Sequence, residues 1–244
     1  MNRFIVVGGS GGIGRAVVER LLGDGHRVAL MSKNATAHVP DGAARLAQIP
    51  CDIDVEADRE AGVSSALGFL GGVDGVVLNA ANMASEFLGR DSNVVDMSPG
   101  VWQETFATNV FAHAEILTRV IPAMVEGGGG SVVFMSSDSG KLPDSERPAY
   151  GASKAALNSL MRHVASRWGR AAVRANAVSP GTILTPALQR NISEEYLRKL
   201  GDSVLSPRLG RPEDVANVVA FLLSEESAYI NAQVIHVNGG RKGL

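Results

Sequence analysis

The chain contains a single cysteine, Cys51, so it can form no internal disulfide and no cysteine-based metal cluster; this fits a reducing compartment and reads as a small core residue. Charge of either sign is nearly balanced, with 23 Lys and Arg against 25 Asp and Glu and a formal net charge of -2. Without a basic excess there is no long-range field to draw nucleic acid or anionic lipid, and neither is expected as a partner. No apolar run approaches the ~20 residues of a membrane-spanning helix. The opening "MNRFIVVGGSGG" breaks into glycines before any signal-peptide core forms, so a soluble cytoplasmic protein is expected. Low-complexity linkers and internal repeats are also missing, which points to one domain over residues 1–244.

What is present is an alternation. Short aliphatic runs, "FIVVG", "RVALM", "RLAQIP", "GVVLNA", "SVVFMSS", "VRANAVS" and "QVIHVNGG", read as strands, with helical patterns near 12–23, 56–70, 99–126, 149–168 and 212–224 between them. Strands apolar on both faces that alternate with helices predict an α/β protein, a doubly wound parallel sheet of about seven strands covered on both sides. Between the second and third strands, "SKNATAHVPDGAA" carries Pro40, Asp41 and Gly42, so a full crossover helix is not expected there.

The first strand runs into Gly8, Gly9, Ser10, Gly11, Gly12, Ile13 and Gly14, then into the helical "RAVVERLL". Glycines at a strand-to-helix turn let a pyrophosphate approach the helix N-terminus, where free N–H groups and the helix dipole favour anions. A dinucleotide site is therefore expected. The second strand ends Met31-Ser32-Lys33-Asn34, with no carboxylate to accept from a ribose 2′-hydroxyl and one cation to attract a 2′-phosphate. That favours NADP(H) over NAD(H), the alternative being that Lys33 is a solvated surface charge.

Near the start of a later helix, "YGASK" places Tyr150 and Lys154 one turn apart on the same face. A free phenol, with a pKa of roughly 10, exchanges protons poorly near neutrality; a nearby cation lowers that value and makes the phenol a usable acid/base. Asn109, inside "ETFATNVFAHAEIL", is an indifferent residue for mid-helix, because its side chain competes for backbone bonds; a buried polar role is expected of it.

Gly8-x-x-x-Gly12-x-Gly14, "LNAA" at Leu78–Ala81, Asn109, Ser137, "YGASK", "SPG" at Ser179–Gly181 and "QVIHVNGG" resemble, in spacing and order, the short-chain dehydrogenase/reductase family, and 3-oxoacyl-[acyl-carrier-protein] reductases within it. The resemblance covers essentially the whole chain. It implies a single-domain Rossmann fold and an NAD(P)-dependent oxidoreductase. Tyr150 is then the acid/base, Lys154 the group that binds the nicotinamide ribose and lowers the Tyr150 pKa, Ser137 the hydroxyl that orients the substrate oxygen, and Asn109 the asparagine that bends its helix and holds a relaying water. Ser136 is the structural hydroxyl beside it. Cofactor contacts are implied for Gly8, Ser10, Gly12, Ile13, Gly14, Ser32, Lys33, Asp52, Ile53, Asn79, Ala80, Ala81, Tyr150, Lys154, Pro180, Gly181, Ile183 and Thr185, with Asp52 on the adenine amine and the Pro180–Gly181 loop at the carboxamide. Family members often carry Thr at Val7, two asparagines at Leu78-Asn79, and Gly at Ala81 and Ala232; these departures bear on cofactor affinity and leave the tetrad intact.

The implied reaction interconverts a ketone and a secondary alcohol on a small molecule, with acyl thioesters among the candidate substrates. NAD-dependent alcohol, sugar or steroid dehydrogenases are the alternatives within enzymes, and a silent NADP(H)-binding sensor or scaffold the alternative outside them. A substrate lid is expected over about 185–208. A homo-oligomer, dimer or homotetramer, is implied too; the stripes Trp102/Phe106 and Leu157/Met161 suit either that interface or plain core. His26, His113 and His163 show no metal-ligand spacing and are expected to be satisfied core or surface groups, and Asp52, Asp54 and Glu56 lack the glycine and spacing of a calcium loop, so no metal is expected. "RLGRPEDVA" reads as a loop entering a capped helix.

Overall fold

The computed structural model describes residues 1–34, 44–82, 89–191 and 193–241. Seven strands, β1 (Arg3–Val7), β2 (Arg27–Ser32), β3 (Leu46–Pro50), β4 (Gly75–Leu78), β5 (Gly130–Met135), β6 (Val173–Pro180) and β7 (Val234–Val237), lie in the order β3-β2-β1-β4-β5-β6-β7. Every neighbouring pair is parallel. All seven fall where the aliphatic runs predict them. Within β1, Ile5 and Val7 join one core and Phe4 and Val6 the other; with both faces covered, period-2 alternation reads as a continuous apolar run.

One core is closed by α2 (Glu56–Leu70), α4 (Ala112–Glu126) and α5 (Pro148–Trp168), the other by α1 (Gly12–Gly23) and α8 (Pro212–Leu223). Leu157 and Met161 of α5 are fully buried, so that stripe is core, each side chain contributing on the order of 2 kcal/mol. Trp102 and Phe106, half-buried on α3 (Pro99–Phe106), have ring centroids 6.5 Å apart.

The expected helix over 99–126 is continuous but not regular, since Ala107–Phe111 is a π-helical turn between α3 and α4. The extra residue per turn rotates Asn109 into the interior, where it is fully buried. Two short helices, α6 (Pro186–Asn191) and α7 (Glu194–Asp202), occupy the segment read only as a lid. The expectation for the β2–β3 connection falls largely on residues 35–43, outside the described residues. No described helix is long and apolar enough to cross a membrane.

Strand order reverses between β1 and β4. The carboxyl ends of these strands form the crevice in which open α/β sheets bind ligands, and the expected site residues lie at that edge.

Candidate active site

Gly8 leaves β1 with φ 79°, and a Cβ there would lie 2.6 Å from the Ala80 backbone. Only glycine fits both demands. Asn79 locks the turn by donating from Nδ2 to the Gly8 carbonyl at 2.6 Å, so the ends of β1 and β4 are joined. Gly12, at φ 51°, faces Thr185 across 3.2 Å measured from the Cβ it lacks, which brings the loop after β6 over the glycine turn. Ser10 and Ser32 share a hydrogen bond of 2.7 Å. Helix α1 begins without a side-chain cap and without an acid in its first turn, leaving its N-terminal amides to an outside anion.

Ser137 follows β5 in extended conformation, its Oγ accepting from the Ser139 N–H at 3.2 Å. Tyr150, in the first turn of α5, reaches it. Burial pushes the Tyr150 phenol above its ordinary pKa, while a hydrogen bond with Ser137 and the charge of Arg147 pull it down. Lys154 is buried, with Nζ donating to the Met135 carbonyl at 2.9 Å and lying 5.5 Å from the Tyr150 ring centre. Burial lowers its pKa to about 8. The expected lowering of the phenol by the lysine is therefore not the balance found in the free protein: desolvation dominates at Tyr150, and Lys154 is engaged by a carbonyl. Asn109 donates from Nδ2 to Ser153 Oγ at 3.0 Å, and Ser153 donates to the Tyr150 carbonyl at 2.7 Å. Asn109 Oδ1 accepts from the Asn82 N–H at 3.3 Å. Ser136 donates to the Lys154 carbonyl at 3.4 Å, a structural hydroxyl as expected. Strands β4 and β5, the π turn and α5 thus converge on one spot.

A probable short-chain type dehydrogenase/reductase of Bradyrhizobium diazoefficiens is 37% identical over 98% of this chain and 89% of its own length. The chain belongs to the short-chain dehydrogenase/reductase family. The family model described as Enoyl-(Acyl carrier protein) reductase matches residues 8–242 of this dehydrogenase/reductase. The 7alpha-hydroxysteroid dehydrogenase of Bacteroides fragilis is 33% identical over 98% of the chain and 96% of its own length. A solved 7 alpha-hydroxysteroid dehydrogenase, complexed with NADH and 7-oxo glycochenodeoxycholic acid, superposes with a TM-score of 0.89 at 30% identity, covering 98% of this chain and 94% of that one. The protein is an NAD(P)-dependent oxidoreductase with the fold of that family.

The residues present fit a dinucleotide. The close approach of Gly8 to Ala80 and the uncapped start of α1 form a cradle for a pyrophosphate. In this short-chain dehydrogenase/reductase Lys33 is not the free cation of the sequence reading; its Nζ lies 3.0 Å from Asp52 Oδ1 and 3.2 Å from Asp54 Oδ2. Asp52 also accepts from the Asp54 N–H at 3.0 Å, and Ile53 is buried beneath. Gly181 donates its N–H to the Val237 carbonyl at 3.1 Å, and Ile183 bridges to Gly210. Pro180 is buried at the end of β6.

Two buried acids escaped the sequence reading. Asp138, next to Ser137, accepts from Ser179 Oγ at 3.1 Å and Asn238 Nδ2 at 2.9 Å and meets His236 Nδ1 at 3.0 Å. It ties the ends of β5, β6 and β7 together beneath Gly181, and its place beside Ser137 was the only available signal. Asp91 accepts from the Ala149 and Tyr150 N–H groups at 3.1 and 2.8 Å, across a separation that no local pattern reveals. Among the described residues no group of three or more His, Cys, Asp or Glu could hold a metal ion. His113 departs from expectation, because it is fully buried and neither ring nitrogen has a hydrogen-bond partner.

Proposed function

We propose that the protein is an NADP(H)-preferring oxidoreductase that interconverts a ketone or 3-oxoacyl group and a secondary alcohol. The observation that carries this reading is the placement of Lys154 Nζ 5.5 Å from the Tyr150 ring centre, with Ser137 acting on the same phenol. When bound, the nicotinamide supplies or accepts the hydride. In reduction, negative charge develops on the carbonyl oxygen; Ser137 Oγ–H donates to it and Tyr150 gives up its phenolic proton there, and in oxidation Tyr150 takes that proton back. A phenol held above its ordinary pKa stays protonated near neutrality, the form that reduction requires. Lys154 would hold the nicotinamide ribose, and its ammonium stabilises the phenolate left after proton transfer. Asn109, fixed by Ser153 and Asn82, holds the relaying water toward Lys154. Gly8, Ser10, Gly12, Ile13 and Gly14 seat the pyrophosphate. Ser32, Lys33, Asp52, Ile53, Asn79, Ala80 and Ala81 line the adenosine, and Pro180, Gly181, Ile183 and Thr185 the nicotinamide end. Residues 185–208, which carry α6 and α7, form the substrate lid of a single domain, and the working form is a homo-oligomer.

The substrate is sought among ketones, oxoacyl thioesters and 7-oxo bile acids, the last because relatives named hydroxysteroid dehydrogenases span nearly the whole chain. Cofactor oxidation at 340 nm over this panel tests the reading. Tyr150→Phe is expected to lower kcat by at least about 100-fold while the cofactor still binds in fluorescence titrations. Turnover that survives in this variant overturns the acid/base role, and a wild-type protein inert on every substrate returns the reading to a cofactor-binding sensor or scaffold. Preference for NADP(H) rests on Lys33, whose two carboxylate partners would yield it to a 2′-phosphate. Lys33→Ala should weaken NADPH binding about 10-fold and NADH binding less than about 2-fold; equal losses would remove that preference.

A further inference from the structure

Helix α5 starts badly by its own means. Its N-cap residue is Arg147, in the left-handed region at φ 59° and ψ 49° with no side-chain cap bond. A helix leaves its first N–H groups without partners inside the helix, and a buried start must satisfy them from elsewhere. Pro148 has no N–H, and the Gly151 N–H already reaches the Arg147 carbonyl at 3.0 Å. The two left over, at Ala149 and Tyr150, both go to Asp91: Oδ1 accepts from Ala149 at 3.1 Å and Oδ2 from Tyr150 at 2.8 Å. The Asp91 carbonyl accepts from the Arg147 N–H at 2.9 Å. Asp91 is 1% exposed. One carboxylate, 59 residues away in sequence, thus completes the first turn of the helix, and one of its two partners is the peptide N–H of the residue carrying the phenol.

The segment that brings Asp91 here begins at the cofactor turn. Asn79, at its start, holds the Gly8 carbonyl, and Asn82 donates to Asn109 Oδ1. The β4–α3 connection therefore touches the glycine turn, the asparagine of the π turn and the start of the Tyr150 helix, and Asp91 is the charged contact among these. We propose that Asp91 is a positioning residue for the reaction, setting the backbone of Tyr150 so that its phenol meets Ser137. This inference rests on the reading of Tyr150 as the acid/base. Misplacement by about 1 Å can cost a rate factor of about 100 without touching substrate binding. The carboxylate acts through the peptide group of Tyr150 and touches no reacting atom.

The test compares Asp91→Ala, Asp91→Asn and Tyr150→Phe in the full chain, using NADPH and whichever ketone of the panel the wild type reduces. Asp91→Ala should lower kcat roughly 30- to 100-fold with KM for NADPH within about 2-fold of wild type. Asp91→Asn, which keeps one acceptor oxygen, should recover kcat to within about 10-fold of wild type. In the Tyr150→Phe background, adding Asp91→Ala should cost less than about 2-fold more, because there is no longer a phenol to misplace. The proposal is overturned by an Asp91→Ala variant that melts earlier but keeps the wild-type kcat, by an Asn variant no better than Ala, or by losses that add in full on Tyr150→Phe. Should Asp91→Ala not fold, the Asn variant and its Tyr150→Phe double carry the same comparison. Failure of the acid/base reading shows separately, as a Tyr150→Phe protein that still turns over.

Discussion

His113 lies one helical turn beyond Asn109, sealed from solvent, with neither ring nitrogen paired. Burial, with the charge of Lys154 adding to it, drives its pKa down to about 3. Such a group binds a proton far more readily unfolded than folded. It leaves stability untouched above its ordinary value of 6.5 and drains it as pH falls from there toward the folded value of about 3. Replacing His113 with Leu should therefore flatten the acid limb of the stability curve between about pH 6 and 3, as read from urea midpoints over a pH series; an unchanged limb would show that the imidazole protonates while folded. Ala232 has the opposite history. It was read as a departure from a family glycine, and it sits at φ 61°, in a region that costs a residue with a Cβ about 1 kcal/mol. The departure was legible in the chain, whereas its strain needed the backbone.

At the scale of elements, α8 behaves as its sequence suggests. Pro212 opens it, and Asp214 accepts from the Arg211 N–H at 2.7 Å while taking two bonds from the Arg208 guanidinium at 2.6 and 2.8 Å. Arg208, the main cause, holds the Asp214 carboxyl at about 2. A folded value below the ordinary 3.8 means that this stabilisation is complete above about pH 4 and disappears as pH falls through 2. Asp214→Asn should then cost about 1 kcal/mol at pH 7, the solvent-facing pair being screened, and next to nothing near pH 2; a cost that persists in acid would locate the effect in packing. The break in the long helix was less legible. "TNVF" holds no glycine or proline to mark a break, and what the π turn achieves, an Asn109 amide bonded to Ser153 and to the Asn82 peptide, joins residues far apart in the chain. Helices α6 and α7 escaped notice for a related reason: they are short, and no residue of α7 is buried.

Across the whole molecule, the charge on Lys154 is set by convergence. The end of β5 supplies the carbonyl, α5 the side chain, and the packed interior the desolvation that lowers its pKa to about 8. Below that value the ammonium is present and the phenol, raised by burial, is protonated. Ketone reduction should therefore have a kcat/KM that is level below about pH 8 and falls above it as the free enzyme loses the lysine proton; a pH–rate profile that rises through 8 would contradict this assignment. The chain by itself determined the strands, the principal helices, the glycine turn after β1 and the one-turn spacing of Tyr150 and Lys154, because periodicity and short-range spacing encode local geometry, whereas Asn109 and Ser137 were picked out by the order of motifs that resembles the family. Only the tertiary structure decided that Asp52 and Asp54 hold Lys33, that Asp91 closes the helix of Tyr150, that Asp138 ties three strand ends, and that burial outweighs charge at the phenol. These depend on which distant residues the sheet order makes neighbours and on how much water the packing removes, and neither quantity is written in any local stretch of sequence.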